Sequence, residues 1–285
     1  MKTKAFLMAA LAATMMASCS QDASDDIMVF SDSPAEKAEV TLTFSPYEMT
    51  AMTRTATSIA DYCTHLDVWI YEGGTEFSSV HQSSSDDGFG GMTVTLDKTK
   101  TYTLYAVAHR CAGNAILADG VIAFPDDKVT HSMFYTTTFT PSTSTSLSCE
   151  MRRIVAQFSF QTTDACPLDV QAFRFIINNV FDRWNVTTGG THQLNRISTV
   201  NISSTHADGT VGFNIYAIVT DAQTTHDITV ESLDADEHVK QSRTFTDVPL
   251  RNGYKTVYRG TYFIDTPTNM SFTVDDWLSY DEVSF

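Results

Sequence analysis

Short runs rich in Val, Ile, Thr, Tyr and Phe recur along nearly the whole chain, alternating apolar with polar residues between clusters of Gly, Asp, Asn, Ser and Pro. Alternation of period two places every second side chain on one face, so such a run can bury one face only as a strand. Tyr102, Leu104, Ala106 and Ala108 show it well and would share one face of a strand Tyr102–His109. The same pattern predicts strands at Val40–Phe44, His65–Tyr71, Met92–Leu96 and Met133–Phe139 in the first half. In the second half it predicts Ile154–Gln161, Ala172–Asn178, Val211–Thr220, Ile228–Leu233, Arg243–Thr246, Lys255–Phe263 and Ser271–Val274. No segment carries a long helical period. The expected class is all-β.

Turn-rich gaps fall at Ser83–Gly91, Pro141–Ser146 and Thr187–Thr191. The second, PSTSTS, is small and rich in hydroxyls, as inter-domain connections often are, and Arg153–Thr162 opens a fresh block after it. A boundary near residue 150 leaves six or seven strands on each side. The expected organisation is two tandem β-sandwich domains, residues 38–150 and 151–285, of the immunoglobulin-like or transthyretin-like kind. No strict repeat of roughly 20 to 50 residues is visible.

Ahead of these domains come Lys2 and Lys4, an uncharged, mostly apolar run from Ala5 to Ala17, and then Ser18 and Cys19. That is the order of a signal peptide, and its apolar run is too short for the roughly 20 residues of a spanning helix. Met16-Ala17-Ser18-Cys19 resembles a bacterial lipobox, with Met where Leu is usual. Residues 1–18 are therefore expected to be removed and Cys19 to become the lipid-modified N-terminus, held by its acyl chains. Ser20 to Asp26 is small, polar and acidic, and opens a flexible lipidated tether over residues 19–37. An acidic stretch just after the lipid cysteine resembles the surface-export signal of Bacteroidetes lipoproteins, a plain linker being the alternative. The place expected is the outer membrane, facing the cell surface.

Lys and Arg number 18 against 34 Asp and Glu, a net charge of −16 that becomes −18 once Lys2 and Lys4 leave. Such a chain repels phosphates, so no nucleic-acid partner is expected.

Cys63, Cys111, Cys149 and Cys166 remain after lipidation, and an even count in an exported protein permits disulfides in three connectivities. Cys63 precedes one expected strand and Cys111 follows another, so a bridge between them is feasible if the two strands are antiparallel neighbours. Cys149 and Cys166 flank the strand at the boundary. Four buried free thiols are the alternative, and the absence of a CxxC spacing argues against zinc or redox chemistry.

No GxSxG elbow, Walker loop, GxGxxG or HExxH occurs, and the eight histidines are scattered singly. Asp234-Ala235-Asp236-Glu237-His238 has an Asp-x-Asp core that could take calcium, but it lacks the glycine and distal glutamate of an EF-hand loop. Between two expected strands it reads better as a solvated hairpin turn. Trp69, Trp184 and Trp277 could form a sugar-stacking platform, although Trp69 sits within an alternating strand and reads as core. No enzyme, metal or cofactor is expected.

Several features in this order resemble the fimbrillin superfamily of Bacteroidales, which supplies stalk, tip and anchor subunits of surface fimbriae. They are the lipobox and acidic tether, Val40–Phe44 followed by Thr53-Arg54 and His65–Tyr71, the strand Tyr102–His109, Arg152–Phe158, and Val248–Gly260 near the end. The resemblance implies two transthyretin-like sandwiches, no catalysis, and assembly with other fimbrial subunits by donor-strand exchange. In that scheme an arginine-specific protease removes the first strand and a neighbouring subunit's strand fills the groove. Arg54 is the first arginine of the chain and follows the first expected strand, so a cut between Arg54 and Thr55 would remove Val40–Phe44 together with the lipid. The alternative is an uncut, permanently lipidated subunit of the anchor type. Ser271–Leu278 could complete the second sandwich or serve as a donor strand. A surface glycan-binding lipoprotein is the competing function, and the adhesive ligand stays open.

Overall fold

Alternate burial is most regular in the first strand, β1 (Lys37–Pro46), where Ala38, Val40, Leu42 and Phe44 are buried while Glu39, Thr41 and Thr43 face solvent. The structure, a computed structural model, describes residues 36–47, 58–142, 144–203, 208–264 and 272–276, all within one compact unit, residues 35–285. It is built almost wholly of strands, as the alternation requires. No helix among the described residues is long and apolar enough to cross a membrane.

The first half contributes β2 (His65–Glu72), β3 (Thr75–Ser83), β4 (Gly91–Asp97), β5 (Tyr102–His109), a small hairpin of β6 (Ile116–Ala118) and β7 (Val121–Ala123), β8 (Ser132–Phe139) and β9 (Ser144–Arg153). Apart from the hairpin these form a seven-stranded sheet in the order β3-β2-β5-β8-β9-β1-β4. Only Met133↔Arg153 and Phe134↔Arg152 pair between β8 and β9, and the arms on either side of that narrow seam share one core. Val40 and Leu42 meet Leu66, Val68, Leu104 and Ala106 in it, which makes this half a sandwich.

The second half comprises β10 (Ala156–Thr162), β11 (Ala172–Asn185), β12 (Gly189–Asn201), β13 (Gly212–Ala217), β14 (Thr224–Leu233), β15 (Val239–Leu250), β16 (Tyr254–Gly260) and β17 (Phe272–Asp276). One sheet runs β13-β10-β16-β17, the other β15-β14-β11-β7-β6 with β12 also on β11. Phe158, Phe160, Phe173, Phe175 and Phe245 fill the space between them, and Phe160 stacks on Tyr258 with ring centroids 5.3 Å apart.

The two halves repeat one plan. The order β4-β1-β9 returns as β13-β10-β16, and β3-β2-β5-β8 returns as β12-β11-β14-β15. In both, the first strand runs antiparallel to one neighbour (β4 or β13) and parallel to the other (β9 or β16). A duplication of this length carries no short sequence period, which is why none was visible.

Two additions break the symmetry. Between β5 and β8 the first half inserts the β6–β7 hairpin, whose β7 pairs with the far end of β11 through Arg183↔Ala123, Trp184↔Ile122 and Asn185↔Val121. Between β14 and β15 the second half has only a tight turn. A third apolar cluster, with Trp69, Val107, Ile122, Phe134, Trp184 and Ile218, joins the halves at that hairpin. The other addition is β17, which has no equivalent among the described residues of the first half.

Some expectations fail locally. PSTSTS is not a linker: β9 begins at Ser144, so a boundary at residue 150 would fall inside that strand. The change from one strand set to the other comes at the buried pair Ile154-Val155. The strand expected to end at Asn178 continues to Asn185 past a register shift, where Asn179 takes a positive φ of 57°. β3, β6, β7, β9 and β12 were not foreseen.

Candidate functional site

Strand β1 has no covalent partner strand beside it. It is held in its slot by neighbours far away in sequence, parallel β9 from Glu39↔Ser144 to Pro46↔Met151 and antiparallel β4 from Lys37↔Asp97 to Thr43↔Gly91. Three of its inward side chains, Val40, Leu42 and Phe44, fill successive pockets of the first core. Removing it would uncover those pockets and two rows of backbone groups, the geometry that a replacement strand needs.

Both ends of the connection leaving β1 are pinned by arginines. Tyr47 donates its N–H to the Met151 carbonyl at 2.8 Å, and the Arg152 guanidinium lies 4.5 Å from its ring. On the far side Ser58 and Asp61 form a capping box around a short 3-10 turn. Arg110 Nε donates to the Tyr62 carbonyl at 2.7 Å, and Arg153 covers the Tyr62 ring at 5.1 Å. Arg54 and Thr55, which lie between these anchors in sequence, and Cys19 fall outside the described residues. Of the C-terminal stretch, β17 pairs antiparallel with β16 from Tyr258↔Phe272 to Tyr254↔Asp276, while Trp277 lies outside the described residues.

All four cysteines considered for bridges are free thiols. Cys63 Sγ turns to His131 Nδ1 at 3.8 Å, and Cys111 Sγ to the Lys128 carbonyl at 3.1 Å. A Cys149–Cys166 bridge is ruled out by position, since Cys149 belongs to the first core and Cys166 packs on the second. Burial pushes the thiols of Cys63 and Cys149 up to about 12 and that of Cys166 to about 11, so these three stay protonated at neutral pH.

The histidines are less scattered than their spacing suggests. Register brings His81 and His109 to the fully buried Asp67 carboxylate, with His81 Nδ1 at 2.5 Å and His109 Nε2 at 2.8 Å, and the Ala115 N–H donates to it at 3.0 Å. His65 stacks on His109, centroids 5.5 Å apart. Burial opposes charge on His109, but the hydrogen bond its Nε2 makes to the Asp67 carboxylate, together with the neighbouring Cys111, outweighs it and pushes the pKa up to about 9. The cluster braces edge strand β3 and the loop into the β6–β7 hairpin. Only knowledge of the β2–β3 and β2–β5 registers could have found it.

At the Asp234–His238 turn, Asp234 Oδ1 accepts the N–H groups of Asp236 and His238, both at 2.9 Å. Those two bonds to backbone make the turn and hold the Asp234 carboxyl below its ordinary pKa, the His238 bond contributing most. Asp234, Asp236 and His238 are the only grouping among the described residues with metal-ligand spacing, and two of the three are exposed. Trp69 and Trp184 are buried, 3% and 9% exposed, and offer no platform to a sugar.

Residues 126–281, more than half of the chain, match a protein family of unknown function (DUF6562). The chain belongs to that family. Among solved structures, its fold is similar to that of a candidate adhesin from Bacteroides thetaiotaomicron, at 12% identity over 86% of this chain and 98% of that one, with a TM-score of 0.53. A candidate adhesin from Bacteroides ovatus gives 13% identity, coverage of 83% and 95%, and a TM-score of 0.52. A protein described as polysaccharide binding (DUF1812), from Bacteroides thetaiotaomicron, gives 10% identity, coverage of 79% and 92%, and a TM-score of 0.50. No curated protein matches the chain. The expected all-β sandwich fold is therefore shared with candidate adhesins of Bacteroides.

Proposed function

We propose that this DUF6562 member is a lipid-anchored subunit of the cell surface that assembles with other subunits by strand exchange and so contributes to adhesion. The observation that carries the reading is the β1 slot. One N-terminal strand, buried on alternate residues and paired on both sides with distant strands, precedes a connection that contains Arg54. The candidate adhesins that share the fold, the lipobox at Cys19 and the acidic tether point the same way. Two sandwiches with an exchangeable strand act by joining, not by turnover.

Treatment with an arginine-specific protease tests it. Cleavage after Arg54 should leave a chain beginning at Thr55, and a synthetic peptide of residues 37–46 should bind that chain and raise its unfolding temperature. A chain that resists cleavage, or one that is cleaved and then ignores the peptide, would sink the reading. N-terminal sequencing of protein taken from cells would show which form is used, a blocked Cys19 or a free Thr55.

A further inference from the structure

The duplicated plan draws attention to one place where the halves differ. In the first half, backbone pairing closes the seam between the start of β8 and the end of β9. The equivalent seam in the second half lies between the start of β15 and the chain that follows β16, and among the described residues β15 pairs with β14 alone. Side chains bridge this seam instead. Gln241 Nε2 donates to the Tyr262 carbonyl at 2.6 Å and Arg243 Nη2 to the Ile264 carbonyl at 2.8 Å. The Asp164 carboxylate holds the far bank, accepting the N–H groups of Tyr262, Phe263 and Ile264 at 2.8, 2.6 and 2.9 Å.

A cleft of about 520 Å³ opens there, lined by Lys240, Gln241, Ser242, Arg243 and Phe263. Four consecutive strand residues decide its shape. Successive side chains point to opposite faces of a sheet, so a cavity touching four in a row runs along the strand's edge, where the Gln241 carbonyl accepts the Tyr262 hydroxyl at 3.1 Å. Two of the four are cationic, in a chain whose net charge is −16. Val239 and Ile264, 45% and 53% exposed, add apolar surface beside it. Lys240 is paired with Asp169 at 2.8 Å, but both side chains are largely exposed, and such a pair yields readily to another carboxylate.

We propose that this seam is a docking slot for an extended acidic segment of a partner protein, added as a strand along the β15 edge. The spacing of Lys240 and Arg243 sets the pattern it reads, two carboxylates three residues apart on a strand with apolar residues between them. The slot does not use β1, so its failure would leave the strand-exchange reading untouched.

Calorimetric titration of the intact protein tests it with the synthetic peptide Thr-Val-Asp-Thr-Val-Glu-Thr-Val. The acidic peptide should bind at least tenfold more tightly than its Asn/Gln counterpart, and more weakly as salt is raised. Lys240→Gln should cost about tenfold, and Asp169→Asn, which releases Lys240, should strengthen binding. Methylating the peptide's backbone nitrogens at alternate positions should abolish binding, since strand addition needs those N–H groups. Equal binding of the Asn/Gln peptide, undiminished binding of the methylated one, or indifference to Lys240→Gln would each overturn the proposal.

Discussion

His131 is the residue whose charge the fold constrains most. Its ring is buried and stacked on Tyr62, and its Nε2 accepts from Arg153 Nε at 3.1 Å, which requires a lone pair there. Burial, then the Arg153 and Arg110 guanidinia, hold its pKa well below the ordinary 6.5. The unfolded chain takes up this proton first as pH falls, so the stability His131 confers is whole above about pH 6.5 and drains away below it. Denaturant melts of wild type and His131→Gln between pH 7 and pH 5 should diverge, the wild type losing up to about 1.4 kcal/mol more per pH unit. Parallel curves would refute this. His109 works in the opposite sense: with its pKa raised to about 9, its contribution is complete below 6.5 and is lost as pH rises through 9. None of this was legible in the sequence, because each histidine meets its partners across strands and not along one.

At the scale of the element, β1 is the strand on which the assembly reading stands. Leu42 is fully buried within it, and Leu42→Ala should destabilise the protein by about 2–5 kcal/mol, read from the shift in denaturant midpoint. A loss below about 1 kcal/mol would mean that β1 is loosely seated. Strands were readable where one face is apolar and the other polar. Tyr102–His109 has its exact observed bounds, because Tyr102, Leu104, Ala106 and Ala108 put one buried face into the first core, even though Val107 and His109 on the other face are buried as well. β9 was hidden by its own composition, since Ser and Thr surround the inward Leu147, Cys149 and Met151. β12 was hidden by its position: it pairs only with β11, and none of its residues is fully buried, so it has no apolar face to show. The candidate site divides in the same way. The β1 slot follows from pattern, whereas the side-chain-bridged seam at β15 follows from the comparison of two halves that share no visible repeat.

For the whole molecule, the β6–β7 insertion decides how the two sandwiches behave together. Arg196 reaches from β12 to the carbonyls of Asp127 and Val129 at 3.3 and 3.2 Å, and Ile122 of β7 joins Trp69 and Trp184 in the cluster between the halves. A shared apolar joint should make unfolding cooperative, giving one calorimetric transition. Replacing residues 115–124 by a short Gly-Ser turn should split it into two, and a single transition in that variant would show that the hairpin is dispensable. The same architecture governs the order in which the chain can fold. Among the described residues β1 is the earliest strand, yet its parallel partner β9 begins more than a hundred residues later, at Glu39↔Ser144. Pairings of such long range form slowly, because a large loop must close before any contact rewards it. Strand β1 can meet β4 first, but a growing chain must carry its other edge unpaired until about a hundred further residues have followed.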